Sequence, residues 1–333
     1  MPADLPAQTP VLRVEHLRTE FRIGGAWHAA VDDVSLTLAP RETLALVGES
    51  GCGKSVAALS VMGLVPSPQG RIAGGQILLE GRDVRGLPEP TLEKLRGSRM
   101  AMIFQEPMTS LNPVMTVGSQ VAESLVVHRG LSRRSAEAKA LVVLDEVKIP
   151  SAARRFHEYP HQFSGGMRQR VMIAMALACE PVVLLADEPT TALDVTIQAQ
   201  VLGLLADLRE QRGMALLFIT HNLGVVAQIA DRIAVMYAGQ IVEEALAEAI
   251  FARPAHPYTR ALFAAMPRID GDAQALAAIP GRVPPLDAMP WGCRFAPRCP
   301  LRREGCELPQ VLVPVAAGHL ARCHVKTGMP ASA

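Results

Sequence analysis

An apolar run, Thr43–Val47, leads directly into Gly48-Glu49-Ser50-Gly51-Cys52-Gly53-Lys54-Ser55, and a helical pattern leaves it from Lys54. A strand, a G-x-x-x-x-G-K-[ST] loop and a helix in that order restrict the chain to a small set of α/β architectures. Gly48, Gly51 and Gly53 let backbone amides close around an anion. The helix N-terminus adds positive potential. Lys54 brings a point charge to the β- and γ-phosphates of a nucleoside triphosphate, and Ser55 offers a hydroxyl to Mg2+. With Glu49, Ser50 and Val56 these residues form the candidate nucleotide-binding loop. Cys52 has two readings: a small residue that fits the variable part of the loop, or a thiolate at a helix N-terminus open to redox chemistry.

A second signal lies downstream. Val182-Val-Leu-Leu-Ala-Asp187-Glu188-Pro189 reads as a buried strand that ends in two acids. Paired carboxylates at such a strand end are costly unless they meet a cation. Asp187 is placed to hold Mg2+, directly or through water, and Glu188 to polarise an attacking water.

Composition sets the outer limits. The chain has 333 residues and a formal net charge of +1, which argues against a broad electrostatic footprint for nucleic acid. No uninterrupted apolar stretch is long enough to span a bilayer; the most apolar region, Val171 to Ala186, is broken by Glu180 and Pro181. Met1 to Pro10 shows no signal-peptide pattern, so a cytosolic protein is expected, one that must dock onto membrane partners if it serves a membrane process.

The apolar patterns predict strands at Val31–Leu38, Thr43–Val47, Gln76–Leu79, Met100–Phe104, Val182–Ala186, Ala215–Thr220, Arg232–Tyr237 and Gln240–Glu243. They predict helices at Lys54–Met62, Val117–Val127, Ser135–Val147, Met167–Ala178 and Ile197–Arg212. Between Glu106 and Phe163 the pattern is helical without a convincing strand, as in a helical insert. From about Phe251 the chain becomes proline-rich, which excludes long helices beyond Ala265.

Further motifs follow in the order found in the nucleotide-binding domains of ABC transporters, which the chain resembles. Gln105, at the end of the strand Met100–Phe104, matches the Q-loop glutamine. Phe163-Ser164-Gly165-Gly166-Met167-Arg168-Gln169 matches the signature motif, with Phe163 for Leu and Met167 for Gln. Ala192-Leu193-Asp194 matches the D-loop, and His221 matches the switch histidine. An aromatic residue near the N-terminus is expected to stack on adenine; Phe21 fits best and Trp27 second. The resemblance implies a P-loop ABC ATPase fold: a RecA-like core with an antiparallel β subdomain and a helical insert. It implies that Ser164, Gly165, Gly166 and Asp194 meet ATP bound to a partner subunit, so that ATP closes a dimer and hydrolysis opens it. It makes Glu188, His221 and Gln105 the catalytic set, and Ser55, Gln105 and Asp187 the Mg2+ ligands.

The match narrows further. The loop sequence, Phe104-Gln-Glu-Pro-Met-Thr-Ser-Leu-Asn-Pro113, His256-Pro-Tyr-Thr-Arg-Ala-Leu262 and Ile279-Pro-Gly are similar to the oligopeptide and dipeptide importer ATPases. The resemblance is closest to their D-type subunit. Nickel-importer relatives share much of this pattern, and a soluble non-transport ABC ATPase is the more distant alternative. The implied partners are a second ATPase subunit in a heterodimer or homodimer, two integral membrane permeases and an extracytoplasmic peptide-binding protein. The implied location is the cytoplasmic face of the inner membrane, held peripherally. Residues 1–255 are expected to form the nucleotide-binding domain, with a helical part at about 106–165, and residues 256–333 a C-terminal extension.

That extension carries Cys293-x5-Cys299-x6-Cys306-x16-Cys323, without the paired C-x2-C knuckles of structural zinc sites. Four thiolates converging in a proline-rich loop suit a [4Fe–4S] cluster or tetrahedral zinc, with His319 or His324 as a possible substitute ligand. The family resemblance implies the iron–sulfur cluster. Four free cysteines are the plain alternative. Arg294, Arg298, Arg302 and Arg303 would offset the charge of a ligated cluster or be solvated.

Overall fold

The computed structural model describes residues 9–105, 110–191, 193–266 and 279–325. Residues 106–109 of the Phe104–Pro113 motif and Ala192 of the D-loop motif lie outside them. The chain divides into two compact units. One comprises the chain up to Leu12, Leu38–Glu42 and Leu79–Phe218. The other comprises Arg13–Thr37, Thr43–Leu78 and the chain from Ile219 on.

In the first unit, strand Met100–Ile103 pairs in parallel with Val183–Asp187, with Ala101 beside Leu184 and Ile103 beside Ala186. Val183–Asp187 is buried along its whole length, as expected of a strand with packing on both faces. Helices Val117–Arg129, Arg133–Glu146 and Gly165–Leu177 pack on one another. Thr116 and Ser132 cap the first two, each accepting a bond from the amide three residues on. Gly130 ends the first of these in a left-handed turn at φ 63°. The described part of the stretch Glu106–Phe163 is therefore helical, as its pattern predicts. Val195–Arg212 is capped by Asp194 and ended by Gly213.

In the second unit, strand Thr43–Val47 pairs in parallel with Arg232–Tyr237, which turns back antiparallel into Gln240–Leu246. The proline-rich tail extends this sheet. His319–Ala321 pairs with Gln240–Leu246, and Val313–Ala316 adds an outer strand. The sequence pattern gave neither of these two short tail strands. A second antiparallel set contains Ala26–Leu38, Leu12–Ile23 and Gly70–Leu79, side by side in that order. Leu12–Ile23 is absent from the predicted strands because its alternation slips: Leu12 and Val14 are buried, His16 takes φ 48°, and burial resumes at Leu17 and Thr19. Among the described residues no helix is long and apolar enough to cross a membrane.

Candidate functional site

The phosphate-binding loop emerges from Thr43–Val47, all five residues of which are buried. Two glycines are required by close approach. A Cβ on Gly48 would stand 2.2 Å from the carbonyl oxygen of Met236. One on Gly53, the N-cap at φ 106°, would stand 2.7 Å from that of Ala30. The carbonyls of Met236 and Ala30 thus pack directly against the loop. Lys54 is 5% exposed, and its ammonium donates to the carbonyls of Gly48 (2.8 Å) and Glu49 (3.0 Å). Ser55 and Val56 follow in the first turn of helix Lys54–Val61.

Cys52 is buried, with its Sγ 3.8 Å from the Lys54 ammonium. Burial pushes its thiol up, and the lysine offsets this only in part. This environment favours the thiol and supports the packing reading over the redox one.

Phe21 lies on strand Leu12–Ile23, half-buried, with its ring edge close to Gly70, where a Cβ would be 2.9 Å from Cε1. The face of Trp27 carries the Arg71 guanidinium, 4.1 Å from the ring centroid. His221 is exposed just after strand Ala215–Thr220, and Asn222 caps the next helix, Leu223–Ile229.

The other unit carries the acidic residues. Asp187 ends its strand 4% exposed. Glu188, at φ 48°, turns the chain out of the sheet. Its Oε2 accepts from Gln105 Nε2 at 3.1 Å and from Thr191 Oγ1 at 2.9 Å. The structure thus brings Gln105 and Glu188 together across 83 residues of sequence. Thr191 was not among the candidate site residues; its position three residues past Glu188, in the same turn, was the available signal. An oriented carboxylate at a buried strand end can hold and polarise a water, and Asp187 is a hard oxygen donor suited to Mg2+.

Ser164 and Gly165 are exposed at the start of helix Gly165–Leu177, where Ser164 Oγ accepts from the Met167 amide at 3.4 Å. Gly166 lies against the next helix: a Cβ there would be 2.5 Å from Ile197 Cγ2. Phe163, the departure from the family's Leu, is buried and lies under the Arg155 guanidinium at 5.6 Å. Asp194 Oδ1 accepts from Ile197 N at 2.9 Å.

The expected [4Fe–4S] or zinc centre finds no support in the structure. Among the described residues, no group of three or more His, Cys, Asp or Glu side chains is arranged to hold a metal ion. The cysteines are free thiols, and Cys323 Sγ is turned to the carbonyl of Val325 at 3.5 Å. Burial pushes the thiols of Cys293 and Cys299 up, and that of Cys323 to about 11. Two of the nearby arginines are paired with carboxylates. Arg294 pairs with Asp32, and Arg298 pairs with Glu49 at 2.6 Å. His319 is engaged as well, at 2.7 Å from Glu243. The tail is secured by these buried ion pairs and by strand pairing.

Comparison with known proteins agrees with these features. A family model described as ABC transporter matches residues 31–191, and one described as oligopeptide/dipeptide transporter, C-terminal region, matches 242–306. A protein of Brucella abortus (strain 2308), provisionally named a peptide import ATP-binding protein, is 50% identical over 314 residues, 94% of each chain. A second protein of that strain, named in the same way, is 51% identical over 330 residues, 95% of this chain and 97% of its own. Among solved structures, a dimeric post-hydrolysis state of the ATP-binding cassette MJ0796 bound to ADP and Pi matches with a TM-score of 0.64. It is 27% identical and covers 71% of this chain and 98% of its own. The phosphate loop, the buried acidic strand end, the exposed helix-opening Ser-Gly-Gly and these likenesses over nearly the whole length agree: this chain belongs to the family of ABC transporter ATP-binding proteins.

Proposed function

We propose that this chain is the ATP-hydrolysing subunit that powers peptide import through an ABC transporter. One observation carries the reading: a cassette matched by the ABC transporter model continues, in the same chain, into the oligopeptide/dipeptide transporter C-terminal region. The relatives' names support peptides as the cargo.

In this reading the phosphate loop, Gly48 to Val56, binds the triphosphate and Lys54 meets its terminal phosphates. Mg2+, when bound, neutralises phosphate charge, with Ser55, Gln105 and Asp187 as its protein ligands. Glu188 orients the attacking water, assisted by Gln105 and by His221, and Phe21 stacks on adenine. Ser164, Gly165, Gly166 and Asp194 serve the nucleotide of a second ATPase subunit, so ATP closes the pair and hydrolysis releases it. Two permeases and an external binding protein complete the machine, with this chain peripheral to the cytoplasmic face of the membrane. Residues 1–255 are the nucleotide-binding domain, with its helical part at about 106–165, and 256–333 the transporter-specific extension.

The test is uptake by cells lacking this chain. Loss of radiolabelled di- and tripeptide uptake, restored by the wild-type chain and not by Lys54→Ala, is the expected result. Normal peptide uptake with defective nickel uptake would transfer the assignment to a nickel importer. No transport defect at all would remove the importer reading.

A further inference from the structure

The phosphate loop is tied to the tail through one residue. The Glu49 amide donates to Tyr258 Oη at 2.8 Å, and its carboxylate accepts from both terminal nitrogens of Arg298, at 2.6 and 2.9 Å. Its carbonyl accepts from Lys54 Nζ at 3.0 Å. Glu49 is therefore held on three sides, and the third contact is the charge that meets the phosphates.

Both tail residues are themselves immobilised. The Arg298 side chain is 4% exposed. All five of its N–H donors are used: Nε to Pro280 O (2.7 Å), and the terminal nitrogens to Glu49, the Tyr237 hydroxyl (3.3 Å) and Ile279 O (3.3 Å). Tyr258 is fully buried, with its ring 4.6 Å from that of Tyr237 and 5.4 Å from that of Phe295. A guanidinium with a complete set of fixed partners cannot follow a moving carboxylate. The tail thus sets where Glu49 stands, and Glu49 sets where the Lys54 ammonium rests.

We infer that Arg298 and Tyr258, both in the C-terminal extension, are positioning residues for nucleotide binding that act on Lys54 through Glu49. The extension is then part of the machinery that sets ATP affinity. This rests on the phosphate loop being the ATP site.

The test is equilibrium titration of the full chain with a fluorescent ATP analogue and Mg2+, alongside steady-state ATP hydrolysis and thermal melting. Arg298→Ala is expected to weaken binding about tenfold, raising KM for ATP while kcat stays within about twofold. Arg298→Lys keeps one charged contact and is expected to fall between Arg298→Ala and wild type. Tyr258→Phe removes only the acceptor of the Glu49 amide and is expected to weaken binding by about threefold. Arg322→Ala is the control. It removes an equally buried tail anchor, bonded to Ile241 O, Gln310 O and Asp33, that does not touch the loop. It is expected to lower the melting point and leave affinity unchanged. Wild-type affinity in Arg298→Ala, or equal weakening in Arg322→Ala, overturns the inference. Should Arg298→Ala not fold, Arg298→Lys and Tyr258→Phe decide, and wild-type affinity in both overturns it. A wild-type chain that binds no ATP is a different outcome, and removes the ATP-site reading itself.

Discussion

The side-chain amide of Gln105 donates to the carboxylate of Glu188 at 3.1 Å, joining the end of one strand to the residue that follows its parallel neighbour. The glutamine and Thr191 fix one oxygen of the carboxylate. An acid held in this way can orient a water without first reorganising. Glu188→Gln is expected to lower kcat by about 100-fold or more while leaving ATP binding near wild type. Single-turnover hydrolysis, measured beside nucleotide titration, separates the two effects.

Gly166 is pressed against Ile197, so its substitution has a defined steric cost. Gly166→Ala is expected to destabilise the chain by about 1–3 kcal/mol. Ile197→Ala in the same molecule makes room for the new methyl group. Chemical denaturation of the single and double variants checks this, and recovery in the double variant is the expected signature.

Glu243 is fully buried and accepts from the amides of Ala255 (2.7 Å) and His256 (2.8 Å), with His319 Nε2 2.7 Å away. It joins the sheet to the start of the tail and to its last strand. Glu243→Ala leaves these buried donors without their acceptor and is expected to cost about 3 kcal/mol. Urea denaturation gives the number, and limited proteolysis is expected to cut first in the tail.

Burial holds the His256 imidazole far below its usual range, at about 3, and its Nδ1 accepts the Tyr258 amide at 3.1 Å. In the unfolded chain it titrates at about 6.5. Between these values the unfolded state binds the extra proton. Stability is therefore full above about pH 6.5 and is lost as pH falls towards 3. The wild-type melting point is expected to drop steeply below pH 6. His256→Asn, which keeps a capping acceptor, is expected to show a shallower drop relative to its own value at pH 7. Melting curves from pH 8 to 4.5 test this.

Much of the first-level chemistry could be read from local sequence. The Gly48–Ser55 loop declares itself because its glycines, lysine and serine are consecutive and framed by a strand and a helix. Gln105 and Glu188 were each legible as strand-end residues, but their hydrogen bond depends on parallel pairing of two strands far apart in sequence. The strand Leu12–Ile23 was hidden by the slip at His16, which breaks the alternation a reader looks for. The tail was legible only in part. Four cysteines suggest a shared ligand by composition alone, whereas the direction of each Sγ is a property of the fold. Arg298 reads in sequence as one of several charges near those cysteines, offsetting a ligated cluster or solvated. Nothing in its neighbours announced a carboxylate 249 positions away.

Arg322 and Arg294 reach Asp33 and Asp32, two adjacent residues of strand Ala26–Leu38. During synthesis on the ribosome, that strand emerges almost three hundred residues before its last partner. Its final set of contacts can therefore form only after residue 322 has been made. Premature termination ahead of Arg322 would release a molecule with an intact phosphate loop sequence and an unfinished early strand.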